Sequence, residues 1–176
     1  MRGTKRITAC RACRTSWGEG EEPTCVDPSH ATTVHVVHVH EDGVVVPGGG
    51  TIVGVSHDAG YERRVRPDFG LYLDGRWSPP WPHDHVTWPD FGLPSNVPAL
   101  RRQLEDLLAR SRRGQRVEVG CLGGHGRTGT LLACASVVCG NEPAAAVEWV
   151  RSTYCDAAVE TPEQEAFVRS FLPPSR

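Results

Sequence analysis

Residues 118–130 read EVGCLGGHGRTGT, and two phosphate-handling readings of this stretch imply two different surroundings. Gly124, Gly126 and Gly129 fit G-x-G-x-x-G, the turn that lays a dinucleotide's pyrophosphate on a helix N-terminus. The same residues hold Cys121 and Arg127 at the spacing Cys-x5-Arg, which suits a thiol nucleophile with a guanidinium clamp. Both readings need a strand before the loop and a helix after it. The runs 116–119 and 130–139 have those patterns.

Context separates the two. A dinucleotide turn stands near the start of a βαβαβ unit, with an acidic residue ending the next strand about 20 residues on. Here the following segments, AAAVEWVRSTYC and TPEQEAFVRSFL, both have helical periodicity, so the required strands are missing. The thiol reading asks for a positive microenvironment, because a free cysteine with a pKa of about 8.5 is mostly protonated near neutrality. A loop whose backbone N–H groups at Leu122, Gly123, Gly124, His125, Gly126 and Arg127 turn inward, continued by a helix N-terminus, supplies one and also binds a phosphate dianion. Glycine at 123, 124 and 126 permits that curl. The planar fork of Arg127 can grip two phosphoryl oxygens. Thr128 can offer its hydroxyl to the sulfur.

A phosphate monoester also needs a proton on its leaving oxygen. Residues 85–94 read HVTWPDFGLP, which sets the carboxyl of Asp90 between a bulky anchor, Trp88, and a possible hinge, Gly92. The combination W-P-D-F-G-x-P, then C-x5-R-T-G about 30 residues later, resembles the cysteine-dependent protein tyrosine and dual-specificity phosphatases. The stretch AVETPEQ, residues 158–164, resembles that family's late glutamine loop. The resemblance spans about half the chain, near 85–170. It implies a phosphatase fold and a cysteinyl-phosphate intermediate with Cys121 as nucleophile, Arg127 as clamp and Asp90 as acid. It also implies that Gln164 orients the hydrolytic water, that catalysis needs no cofactor, and that the substrate is a phosphorylated protein or a small phosphomonoester. The family's histidine before the cysteine is replaced by Gly120, from which a less reactive enzyme is expected. A phosphate-recognising binding module without turnover is the alternative.

Bulk composition narrows the partners. The formal charge of −2 leaves no basic excess for nucleic acid or a membrane surface. Lys5 is the only lysine, which removes the Walker-type nucleotide loop. No apolar run approaches the roughly 18 residues of a membrane span, and the N-terminal residues lack the apolar core of a secretory signal. A cytoplasmic location is therefore expected, with the seven cysteines reduced.

Residues 1–30 are polar and show neither a strand nor a helix period, so they are expected to be an appendage to a phosphatase domain over 31–176. Cys10, Cys13, Cys25 and His30 could clip such an appendage with a structural zinc ion. An unstructured cysteine-bearing tail has the same composition. Residues 32–46 alternate valine with histidine around Glu41-Asp42-Gly43, the pattern of a β-hairpin. Short strands are expected at 51–55 and 69–73, then a proline-rich loop over 75–98. Helices are expected from Pro98 to Gly114, over 130–139, from Pro143 to about Cys155, and from Pro162 to Phe171. The fold class is α/β, a mixed central sheet with helices packed on it. Asp68 is read as a turn residue, His35, His38, His40, His83 and His85 as solvated, Cys134 and Cys139 as core. Tyr61 and Tyr72 are read as core or sheet residues in preference to aryl-stacking ones.

Overall fold

The computed structural model describes residues 3–10, 15–18, 22, 27–29, 32–39, 43–57 and 63–172. Three strands come first: β1 (Gly3–Cys10), β2 (Thr15–Gly18) and β3 (Thr32–Val39). They form an antiparallel sheet in the order β2-β1-β3. Two expectations change here. Residues 1–30 hold two strands in place of an irregular appendage. The hairpin expected over 32–46 is also absent: β3 pairs with β1, from Thr32 against Cys10 to Val39 against Gly3. Alternation identified the strand but could not identify its partner, which lies some 30 residues earlier. The zinc set falls outside the described side chains, as does Tyr61. Among the described residues no cluster of metal-ligating side chains is present.

The second sheet carries the site. Its strands are β4 (Val44–Val45), β5 (Thr51–Ser56), β6 (Phe69–Tyr72), β7 (His83–His85) and β8 (Val117–Cys121), in the order β4-β5-β8-β6-β7. Strands β5, β8, β6 and β7 run parallel, and β4 closes one edge antiparallel. Four helices follow: α1 (Val97–Arg112), α2 (Gly126–Val138), α3 (Ala146–Thr153) and α4 (Pro162–Ser170). Strand β8 lies at the centre and is buried along its whole length, as a strand covered on both faces must be. One face packs against the helices through Val117, Val119, Leu104, Leu108, Leu131 and Ala135. Val53, Val55, Tyr72, Trp77 and Trp81 cluster separately. Glu118 is buried in mid-strand and is neutralised by Arg63 Nε at 2.9 Å, with the Tyr72 hydroxyl donating to it at 2.6 Å, which is how a buried carboxylate becomes tolerable. Tyr72 is thus a core residue.

Strand β7 was not expected. Residues 83–85 sit between prolines, and their sequence, His-Asp-His, has no apolar period to announce a strand. Tertiary pairing with β6 makes one. Helix α1 follows from its sequence: Leu100, Leu104, Leu107 and Leu108 form the buried stripe, Asn96 Oδ1 accepts from Ala99 N at 3.0 Å, and Gly114 leaves the helix at φ +83°. Helix α2 is apolar on every side and almost wholly buried, the composition of a central helix. Asp68, expected as a turn residue, lies at a bend before β6 and is tied across the sheet, accepting from Arg116 N at 2.8 Å just before β8.

Candidate active site

Cys121 ends β8, the central parallel strand, and α2 begins five residues later. Ligands in open parallel sheets collect at the carboxyl ends of strands. The loop between is held by its carbonyls. Ser56 Oγ, at the end of β5, donates to Leu122 O at 2.7 Å, and the buried Tyr154 hydroxyl donates to Gly124 O at 2.6 Å. Pinning carbonyls outward leaves amides free to face the cradle. Gly124 has φ +78°, a conformation that favours glycine, and a Cβ there would press on Ser56 at 3.3 Å.

Arg127, in the first turn of α2, is 4% exposed. Its Nη1 donates to Leu73 O at 2.8 Å and to Trp88 O at 3.0 Å, which fixes the plane of the guanidinium. Nη2 lies 3.0 Å from Asp90 Oδ1 and 3.8 Å from Asp74 Oδ2. Nη2 is thus ion-paired with Asp90, whereas Arg127 Nε and Thr128 Oγ1 are buried without a hydrogen-bond partner. Each such group ordinarily costs about 1–3 kcal/mol. Two such donors in the first turn of α2, beside an arginine held by carboxylates, make a site that an oxyanion would complete.

The segment around Asp90 is a tight turn beside this arginine. Trp88 is buried, donates from Nε1 to Gly92 O at 2.7 Å and packs edge-on against Phe167. Gly92 N donates to Pro89 O at 3.1 Å, and Phe91 takes φ +55°, a strained value for an aromatic residue. Asp90 is thereby presented half-exposed at the mouth. From the other side comes Gln164, in the first turn of α4 below the Thr161 cap. It is fully buried: Oε1 accepts from Glu160 N at 3.0 Å, and Nε2 faces Gly92 O at 3.5 Å. The sequence therefore named Cys121, Arg127, Thr128, Asp90 and Gln164 from three separate segments, and the fold brings those segments together.

Gly120 gets a structural answer. A Cβ there would meet Val55 Cγ2 at 2.6 Å and His57 Nε2 at 3.2 Å, so the imidazole of His57, just after β5, borders the residue that precedes Cys121. His57 stacks on Trp77 at 4.2 Å and lines, with Asp74, Arg76, Trp77 and Leu122, a hollow of about 210 Å³ beside the loop. Burial, first, and the cations of Arg127, Arg63 and Arg76 pull its pKa down to about 3 against the opposing charge of Asp74. His57 is neutral at any ordinary pH. Hydrogen bonds from Arg76 are the first cause holding Asp74 down at about 2. Ser56, His57, Asp74 and Tyr154 were not legible as site residues, because each acts across the sheet on a loop distant in sequence. His125 stands at the N-cap position of α2 without a side-chain capping bond, and its Nδ1 lies 3.4 Å from Cys155 Sγ. Cys134 is buried at the core, and burial pushes its thiol well above the ordinary range.

The dual-specificity phosphatase domain of the "Swiss Army Knife" type (PTP-SAK) matches residues 94–170. An uncharacterized protein of Methanocaldococcus jannaschii, MJECL20, is 37% identical over 112 residues, 58% of this chain and 74% of that one. Among solved structures, Tk-PTP in its active form is 25% identical with a TM-score of 0.56, covering 75% of this chain and 93% of that one. Kinase associated phosphatase, 15% identical with a TM-score of 0.54 over 75% and 96% of the two chains, shares the fold.

Proposed function

The chain belongs to the cysteine-dependent protein tyrosine and dual-specificity phosphatase superfamily, and from that premise we propose that it hydrolyses phosphotyrosine-like monoesters through a cysteinyl phosphate. The observation that carries this reading is the pair of buried donors without hydrogen bonds, Arg127 Nε and Thr128 Oγ1, in the first turn of the helix that follows the Cys121 loop, with Arg127 Nη2 held only in ion pairs.

In the first step the Cys121 thiolate attacks phosphorus, Arg127 and the loop amides hold the phosphoryl oxygens, and Asp90 gives its proton to the departing oxygen. Before that step the incoming dianion takes Nη2, which frees Asp90 from its ion pair with Arg127 to carry the proton it gives. In the second step water attacks the thiophosphate and Thr128 assists the departing sulfur. Asp90 and Gln164 order that water, Gln164 through the backbone of Glu160 and the acid loop at Gly92. No metal or cofactor enters the scheme, and the cytosol is the compartment that suits a reduced nucleophile. The substrate is a phosphorylated protein or a small aryl phosphate.

Aryl phosphate hydrolysis in the presence of a chelator tests the reading. Turnover by the wild type and none by Cys121→Ser is the expected result. Phosphopeptide binding without hydrolysis would identify a binding module, and full activity in Cys121→Ser would overturn the mechanism.

A further inference from the structure

The segment after β6 turns beside the cradle, with Trp77 N donating to Asp74 O at 3.1 Å. Its Asp74, Arg76 and Trp77 meet His57 and Leu122 around the hollow of about 210 Å³. Leu122 follows Cys121 directly, so the hollow opens next to the nucleophile. The side chains of His57, Asp74, Arg76 and Trp77 take no part in the two chemical steps above.

The rim of the hollow is an arginine held at one place. Asp74 is 8% exposed and accepts from Arg76 N at 3.1 Å and Nε at 2.9 Å on Oδ1, and from Nη2 at 2.6 Å on Oδ2. Arg76 itself is exposed. A guanidinium fixed in advance loses little freedom when it pairs with a ligand. Asp74 Oδ2 also lies 3.8 Å from Arg127 Nη2, so a single carboxylate oxygen separates the phosphoryl clamp from a second guanidinium.

Deeper in, His57 is 9% exposed and stacks on Trp77, and its Nε2 is buried without a hydrogen-bond partner. A buried polar atom of this kind calls for a partner. Burial is the first cause of the lowered His57 pKa, but the cations of Arg127, Arg63 and Arg76 add to it, and Asp74 is the one charge that opposes them. The imidazole thus stands in a positive field, which favours an anion. Once a phosphoryl group occupies Arg127, Arg76 faces Asp74 alone, and Arg63 is spent on Glu118. A planar monoanion matches the fork of Arg76 and adds the least charge beside Asp74, whereas a phosphate dianion adds twice as much. A cavity of about 150 Å³ accepts a benzene ring, so the hollow has room for a ring and its carboxylate.

We propose that this hollow binds a carboxylate carried by the leaving group of the phosphomonoester: Arg76 pairs with the carboxylate, His57 donates to it from Nε2, and Trp77 and Leu122 cover the carbon skeleton. The assignment rests on the phosphatase reading above and narrows its substrate to a small carboxylated phosphate ester. Because one oxygen of Asp74 faces both arginines, the phosphate and the carboxylate belong to the same small molecule.

Hydrolysis of 3-carboxyphenyl phosphate against 3-carbamoylphenyl phosphate, its neutral isostere, reads the subsite in the full chain. The wild type should prefer the acid by about 10-fold or more in kcat/KM, the scale of one charge-assisted hydrogen bond. Arg76→Gln should bring the two esters level, whatever it does to the rate they share, and Arg76→Lys should keep part of the preference. Equal rates in the wild type, a preference that survives Arg76→Gln, or a stronger preference for 1,3-phenylene bisphosphate than for the acid overturns the assignment. Calorimetry on Cys121→Ser makes the same comparison as a ratio of Kd values, without turnover. A wild type that hydrolyses neither ester, with a Cys121→Ser variant that binds the acid about 10-fold tighter, keeps the subsite and loses the phosphatase reading. Equal Kd values lose the subsite.

Discussion

At the scale of single residues, the site is defined by where donors are spent and where they are kept. Arg127 uses Nη1 on two backbone carbonyls, Leu73 and Trp88, which leaves Nε without a hydrogen bond and Nη2 in an ion pair with Asp90 that an incoming anion would displace. A lysine has no second edge to be pinned by. Arg127→Lys should therefore lower kcat/KM by about 100-fold or more, with the stability loss of a disturbed buried cation, while Arg127→Ala should lose oxyanion binding as well. Vanadate titration alongside steady-state kinetics measures both. Cys121, Arg127 and Asp90 stood out in the sequence because the chemistry proposed for them demands fixed residue types at fixed spacing. Ser56, Tyr154 and His57 were not. A hydroxyl that braces a carbonyl 66 or 30 residues away leaves no trace in local pattern. Gly120 was legible as a departure, yet only the register of β5 beside β8, Val55 against Gly120, shows which side chains border it.

At the scale of elements, α2 and the late loop fit together through glycine. A Cβ on Gly129 would lie 2.6 Å from Ala158 Cβ and 3.0 Å from Ala158 Cα, with Val159 N at 3.1 Å. Those are backbone and short side-chain atoms that cannot swing aside. They belong to the turn before Glu160, where Val159 takes φ +64°. Gly129→Ala, though a gain in helix propensity, should destabilise the protein by about 1–3 kcal/mol through overpacking. Turnover should fall with it, because the late loop is displaced from the cradle. Thermal unfolding and burst kinetics on the same sample check the two effects. The glycine that fits a dinucleotide motif by spacing is thus a contact point between helix and loop. The helices themselves were legible by period and cap: Thr161 caps α4 by accepting from Gln164 N at 3.2 Å. The strands of the first sheet and β7 were not, since strand pairing is a long-range fact that a local window does not contain.

At the scale of the whole molecule, the buried histidine beside the cradle couples site and stability. His57 is neutral in the fold, its pKa lowered to about 3 chiefly by burial, while the unfolded chain binds a proton near 6.5. The unfolded state therefore holds more protons between these values, and stability must rise with pH across that window. Above about 6.5 the contribution is fully present; it is lost progressively as pH falls toward 3, by roughly 1.4 kcal/mol per pH unit. Two other groups titrate nearby with distinguishable effects. Asp74, held at about 2, loses its contribution only below its unfolded value near 3.8. Glu160, raised mainly by burial, has the opposite sign, its contribution fading as pH rises above about 4.5. The comparison that isolates His57 is wild type against His57→Phe, which keeps a ring against Trp77 and removes the titrating nitrogens. Between pH 4 and 6 the wild type should lose stability on acidification more steeply than the variant, by about one pKa unit's worth of free energy per pH unit, when both are followed by denaturant unfolding. Parallel curves would mean that His57 gains a partner or solvent in solution, and the imidazole that borders Gly120 would then not be locked beside the nucleophile.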